Sequence, residues 1–159
     1  MHLQACAKTL PTWKFMNKAI EKSRVLFLDT GAVVRLLQMH PDYYPVVSSV
    51  LDYAYENNLT VLVSDVTLFE ISKKAFAAGE GLLSRQYREF FEHSRNVKPC
   101  EVTGEIAVKA AELATKNLTT EESLRLATAF VCGADCILTD SAAFTDLTDI
   151  PAVLLDDVE

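Results

Sequence analysis

Short apolar runs alternate along this chain with stretches whose apolar positions recur at helical intervals. Residues 24–29, Arg-Val-Leu-Phe-Leu-Asp, are a strand-forming run that ends on an acid; Thr30-Gly31 follows, and helical spacing begins there. A second run covers residues 59–64, and between the two, residues 44–58 carry Val46, Val47, Val50, Leu51 and Ala54 at helical spacing. The pattern predicts a strand-helix-strand unit.

Helical spacing returns over residues 66–76 and 82–93, broken by Gly79 and Gly81. Residues 97–102 read as a short strand, 105–116 as an Ala-rich helix, and 117–120 as a turn. Residues 121–131 form a further predicted helix, with Thr119 or Thr120 as its N-cap. Gly133-Ala-Asp135 then turns the chain into a strand at 136–139, and the last strand is expected at 152–155. Strands that alternate with helices in this way predict an α/β fold, a mostly parallel sheet covered on both faces. Ligands of such sheets sit beyond the carboxyl ends of the strands. Asp29, Asp65 and Asp140 each stand at or just past a strand end, and Glu70 and Glu122 lie early in helices that can face the same edge.

At 159 residues, half of them apolar and with five Gly and five Pro, the sequence describes one folded core without low-complexity segments or repeats. No apolar run approaches the roughly 18 residues a membrane span needs, and the N-terminus has no secretion signal. Four scattered cysteines, Cys6, Cys100, Cys132 and Cys136, do not resemble a disulfide framework or a zinc site and read as small reduced residues of a cytoplasmic protein. The charge is uneven. Residues 1–24 carry five basic groups against Glu21, a net of +4, which leaves the rest of the chain at −11 within a total of −7. Residues 1–23 are therefore read as a basic, helical extension, with Trp13, Met16 and Ile20 at helical spacing as a docking face, and 24–159 as the domain. Residues 71–98 are a basic island with six basic and three acidic groups.

Four pieces resemble the PIN-domain nucleases over about residues 25–157. Leu28-Asp29-Thr30 is similar to that family's opening strand-end acid, and Ser64-Asp-Val-Thr-Leu-Phe-Glu70 to its Ser, Thr and Glu pattern at a helix start. Glu122-Ser-Leu-Arg-Leu-Ala-Thr-Ala129 resembles its Asp-Ala-x-x-x-Ala-Thr-Ala helix, with Glu where Asp is usual. Ala134-Asp-Cys-Ile-Leu-Thr-Asp-Ser-Ala-Ala-Phe144 resembles its Thr-x-Asp-x-x-Phe loop, but aligning Thr139 and Phe144 leaves Ser141 at the acid position and Asp140 one residue early.

The resemblance implies a three-layer α/β/α sandwich and a Mg²⁺- or Mn²⁺-dependent endoribonuclease similar to the VapC-type toxins. It implies RNA as substrate, an antitoxin protein that blocks the acidic cleft, and a homodimer. Asp29, Glu70, Glu122 and Asp140 are the implied catalytic carboxylates and metal ligands, with Thr30, Ser64 and Ser141 orienting an acid or a water. A hard cation needs such oxygen donors, and phosphodiester hydrolysis needs the charge it brings. Lys73, Lys74, Arg85 and Arg88, in the basic island after Glu70, are the expected contacts to the RNA backbone. Each residue also has a plainer reading: Asp29 as a helix cap, Glu70 and Glu122 as acids of early helical turns, the basic island as a solvated face. Glu70 lies between Phe69 and Ile71, both expected to be buried. His2, His40 and His93 fall outside all four pieces. A related protein without hydrolysis, serving as an RNA- or protein-binding module, is the alternative that Glu122 and Asp140 leave open. Receiver and haloacid-dehalogenase-like domains are disfavoured, because no Lys follows Thr139 at the strand end and no second Asp stands two residues after Asp29.

Overall fold

Side chains of a strand alternate between the two faces of its sheet, so each apolar run here serves two cores. The protein's structure, a computed structural model, describes residues 16–158. Its five strands are β1 (Val25–Leu28), β2 (Thr60–Ser64), β3 (Val97–Cys100), β4 (Cys136–Thr139) and β5 (Ala152–Leu154). They pair in the order β3-β2-β1-β4-β5, and every pairing is parallel, so the mostly parallel sheet expected from the sequence is wholly so. In the central strand Leu26 and Leu28 enter one core, and Phe27, opposite Leu62 and Ile137, enters the other.

On the first face pack α1 (Lys18–Lys22), α2 (Thr30–Leu37), α3 (Tyr44–Glu56) and α5 (Gly81–His93), which contribute Ile20, Val33, Val50 and Phe91. The second face is covered by α6 (Gly104–Ala114), α7 (Thr120–Val131) and the short α8 (Ala143–Leu147), through Ile106, Leu113, Leu126 and Phe144. The helix α4 (Asp65–Ala77) leaves the end of β2 and buries Ile71 in the first core. The result is the three-layer sandwich. Helix α8 has no counterpart among the predicted elements; five residues span too few turns for a spacing to declare itself.

The predicted N-terminal extension reaches the described residues only in its last turns. There Met16 and Ile20 are buried in the first core, and Asn17 donates its backbone N–H to Val158 at 2.8 Å and its side-chain amide to the Asp157 carbonyl at 2.8 Å. These contacts join the first described turn to residues 157–158. Trp13 lies outside the described residues.

From β1 the chain winds outward to β2 and β3, then returns to β4 and β5 on the other side of β1. That reversal puts the topological switch point at the carboxyl ends of β1 and β4, the place where parallel sheets of this kind hold ligands. Asp29 follows β1 and Asp140 follows β4.

Candidate active site

Asp29 stands at the N-cap position of α2 with extended backbone (φ −75°, ψ 164°), yet its side chain makes no cap hydrogen bond. The carboxylate turns inward instead and is completely buried. Its Oδ1 accepts a hydrogen bond from Arg125 Nε at 2.7 Å, and its Oδ2 accepts one from Thr139 Oγ1, also at 2.7 Å. The plainer reading of Asp29 as a capping acid therefore does not describe its contacts.

Glu70 arrives from α4, whose start is set by Ser64: the buried Ser64 hydroxyl accepts the Val66 N–H at 3.1 Å as N-cap. One and a half turns on, Glu70 Oε1 accepts from Arg125 Nη1 at 2.6 Å and from Thr30 Oγ1 at 3.2 Å. Thr30 and Thr67 share a further hydroxyl contact at 2.7 Å. Of the two neighbours of Glu70 expected in the core, Ile71 is buried and Phe69 is 58% exposed, because 69 falls on the outer face of α4.

Arg125 thus joins the two acids. It is carried by α7, its side chain is 9% exposed, and residues 126–129 beside it are all buried. A guanidinium is a rigid fork of donors that stays charged, and charge-assisted bonds of this kind are the strong ones. Burial raises Asp29 above the ordinary carboxylate range, against the pull of Arg125 and the Thr139 hydroxyl toward ionisation. For Arg125 burial works against the charge, but Asp29 and Glu70 outweigh it and hold the guanidinium even more firmly protonated. Removing one partner from such a buried pair costs about 3–5 kcal/mol, because the other charge is left uncompensated.

The other two expected carboxylates do not join this pair. Glu122 closes a capping box at the start of α7: its Oε2 accepts the Thr119 N–H at 2.9 Å while Thr119 Oγ1 accepts the Glu122 N–H at 3.2 Å. Asp140 is exposed and faces Arg35 Nη2 at 3.6 Å, with its carboxylate over Gly31, where a Cβ would overlap it. Among the described residues no group of three or more His, Cys, Asp or Glu side chains is arranged to hold a metal ion. The four-acid cluster expected from the sequence is, in this structure, an acid pair and an arginine.

Of the residues expected to orient an acid, Thr30 does so through Glu70, whereas Ser64 caps α4 and lies 3.4 Å from Thr128 Oγ1. Ser141 contributes its N–H, which donates to Thr139 Oγ1 at 3.0 Å and so steers the hydroxyl that holds Asp29. Sequence reasoning passed over Arg125, and matched Thr67 and Thr139 to the family pattern without giving either a role in the site. The available signal for Arg125 was a lone charged residue within the mostly apolar stretch from Leu124 to Ala129. In the basic island, Lys73, Lys74, Arg85 and Arg88 are all exposed; Arg88 is bonded to Glu92 at 2.7 Å and Lys73 lies over the Phe69 ring.

A hard divalent ion would find suitable donors here, since Mg²⁺ is commonly held by one or two carboxylates with water completing its shell. Asp29 and Glu70 supply those two. Arg125, however, already bonds both, so a metal between them and the guanidinium in its present position exclude each other.

No family model matches the chain, and no curated protein does. Solved structures do match. A chain of the VapBC2 complex of Rickettsia felis, bound to a fragment of its promoter DNA, superposes with a TM-score of 0.65 at 15% identity, over 82% of this chain and 98% of that one. FitAcB of Neisseria gonorrhoeae follows closely, with a TM-score of 0.61 at 16% identity over 84% and 99%. VapC20 of Mycobacterium tuberculosis, a toxin that cleaves the sarcin-ricin loop, gives 0.59 at 11% identity over 79% and 98%. The fold of this chain is that of PIN-domain toxins, as the four sequence pieces implied.

Proposed function

We propose that this chain is an endoribonuclease of the VapC type, dependent on Mg²⁺ or Mn²⁺, whose acid pair is Asp29 and Glu70. One observation carries the reading: two carboxylates from different elements, 41 positions apart in the chain, converge on a single positive charge at 2.7 and 2.6 Å, at the carboxyl edge of a parallel sheet. Two carboxylates that share one positive charge are donors of the kind a divalent cation takes. A divalent ion bound there would supply the positive charge that activates water and neutralises the anionic transition state of phosphodiester hydrolysis.

The protein's own part is to aim the acids. Thr139 holds one oxygen of Asp29 and leaves the other to Arg125, whereas Thr30 bonds the same Glu70 oxygen, Oε1, that Arg125 holds. Lys73 and Lys74, exposed on α4 beyond Glu70, and Arg85, exposed on α5, are proposed to carry the RNA backbone toward the pair, with Arg88 once freed from Glu92. An antitoxin protein as partner is part of the same proposal, supported by the toxin–antitoxin complex among the matching structures; that it covers the acid cleft, and that the chain forms a homodimer, are proposed with it. No helix of the described residues is long and apolar enough to cross a membrane.

A second reading has its own observation. Because Arg125 fills the pair, Glu122 caps its helix and Asp140 faces Arg35, a protein that keeps Arg125 in place permanently would bind RNA or a partner without cutting it. Cleavage of single-stranded RNA by purified protein, with Mn²⁺ or Mg²⁺ and then with EDTA, separates the two. The nuclease reading expects cutting that EDTA stops and that Asp29→Asn abolishes with the fold retained. RNA that is bound but never cut, with either metal, would sink it.

A further inference from the structure

Asp29 is fully buried and Glu70 mostly so, which makes the site costly to leave without a positive charge. Arg125 meets that need from within the chain. Its helix is anchored in the second core by Leu126, Ala127 and Ala129, and its N-terminus is fixed by the Thr119–Glu122 capping box, so the guanidinium is delivered to the acids at no cost in translational freedom. A metal ion that takes the place of the guanidinium between the two carboxylates must break two charge-assisted hydrogen bonds.

We propose that Arg125 is a resident counter-cation that competes with divalent metal for Asp29 and Glu70, so that the free protein keeps its acid pair closed and takes up metal only weakly. The inference rests on the reading of Asp29 and Glu70 as a metal-binding pair given above. It assigns to Arg125 a control over that pair: the site opens to metal only as the guanidinium leaves. The loss of two charge-assisted bonds corresponds to a factor on the order of a hundred or more in an equilibrium constant. Arg125 therefore weakens metal binding by about that factor.

The test is Mn²⁺ affinity, read from the spin-resonance signal of free Mn²⁺, for the unmodified chain, Arg125→Ala, Arg125→Lys and the double variant Arg125→Ala with Asp29→Asn. Alanine keeps the helix and opens the space; lysine keeps the charge but has no fork with which to span both acids. Tightening by about a hundredfold in the alanine variant, lost again in the double variant and intermediate for lysine, is the expected result. The melting temperature of Arg125→Ala should also rise with Mn²⁺ concentration while that of the unmodified chain stays nearly flat. Should alanine prove too unstable, the lysine variant and the Arg125 Nε–H resonance of the unmodified chain remain: millimolar Mg²⁺ is expected to leave that resonance protected from solvent exchange.

Equal, tight Mn²⁺ binding with and without Arg125 would overturn the inference and leave the metal-binding reading of the pair standing. No binding by any variant that folds would overturn both, because the pair would then not be a metal site even when opened.

Discussion

Thr139 donates its hydroxyl to Asp29 Oδ2 at 2.7 Å, across neighbouring strand ends and 110 residues of chain. The bond is buried and its acceptor carries the deepest negative charge in the site. Hydrogen bonds to charged groups contribute about 1.5–3 kcal/mol, and valine preserves the shape of threonine but not the donor. Thr139→Val should therefore lower unfolding free energy in denaturant by about 1.5–3 kcal/mol, and Thr139→Ser by much less. Any RNA cleavage should fall with the valine variant and survive in the serine variant. Equal stability of the valine variant and the unmodified chain would mean that Thr139 is a packing residue only.

Much of this was readable beforehand, and the unreadable part has a specific cause. Alternating faces and helical spacing predict every strand and every helix of eight residues or more, apart from a residue or two at their ends, except that the bounds of the helix following Thr30 stay open. An acid at a strand end is locally visible, so Asp29 could be singled out; Glu70 is equally visible after a capping Ser64. Glu122 and Arg125 are three residues apart and share a helix face, and sequence does not say which of them turns inward. Thr119 decides it. Its capping box draws Glu122 back to the helix start and leaves the interior to Arg125. Asp140 follows the same logic at β4, where successive side chains alternate: Thr139 points to Asp29, and the next residue is carried over α2 toward Arg35.

Gly31 and Asp140 make a coupled pair. Gly31 lies in the first turn of α2, its φ is not in the left-handed region, and its lack of a Cβ is what admits the Asp140 carboxylate. Glycine in a helix is normally worse than alanine by about 0.5–1 kcal/mol, so the substitution should help wherever the space is free. Asp140 is exposed and can swing out, at the loss of its position near Arg35. We expect Gly31→Ala to stabilise an Asp140→Ala background by about 0.5–1 kcal/mol and to be neutral or destabilising in the unmodified chain, a difference that a double-mutant cycle in denaturant measures directly. Additive effects would mean that the two residues do not restrict each other.

Glu122 offers the sharpest check on where the metal ligands stop. The family resemblance makes it a ligand; the structure has both of its chain-end contacts spent on Thr119, the carboxylate accepting one N–H while its own N–H is bonded to the threonine hydroxyl. Glutamine closes a capping box nearly as well as glutamate, whereas alanine cannot close it at all. If Glu122 acts as a cap, Glu122→Gln should leave stability, Mn²⁺ affinity and RNA cleavage close to those of the unmodified chain, and Glu122→Ala should lower stability by about 0.5–1 kcal/mol. A ligand would behave in the opposite way, since an amide keeps the cap but loses the charge that a hard cation requires. Glutamine at 122 that abolishes cleavage or weakens Mn²⁺ binding tenfold, with the melting temperature unchanged, would show that α7 delivers its acid to the site after all. It would also require that Arg125 and Glu122 exchange places when metal enters.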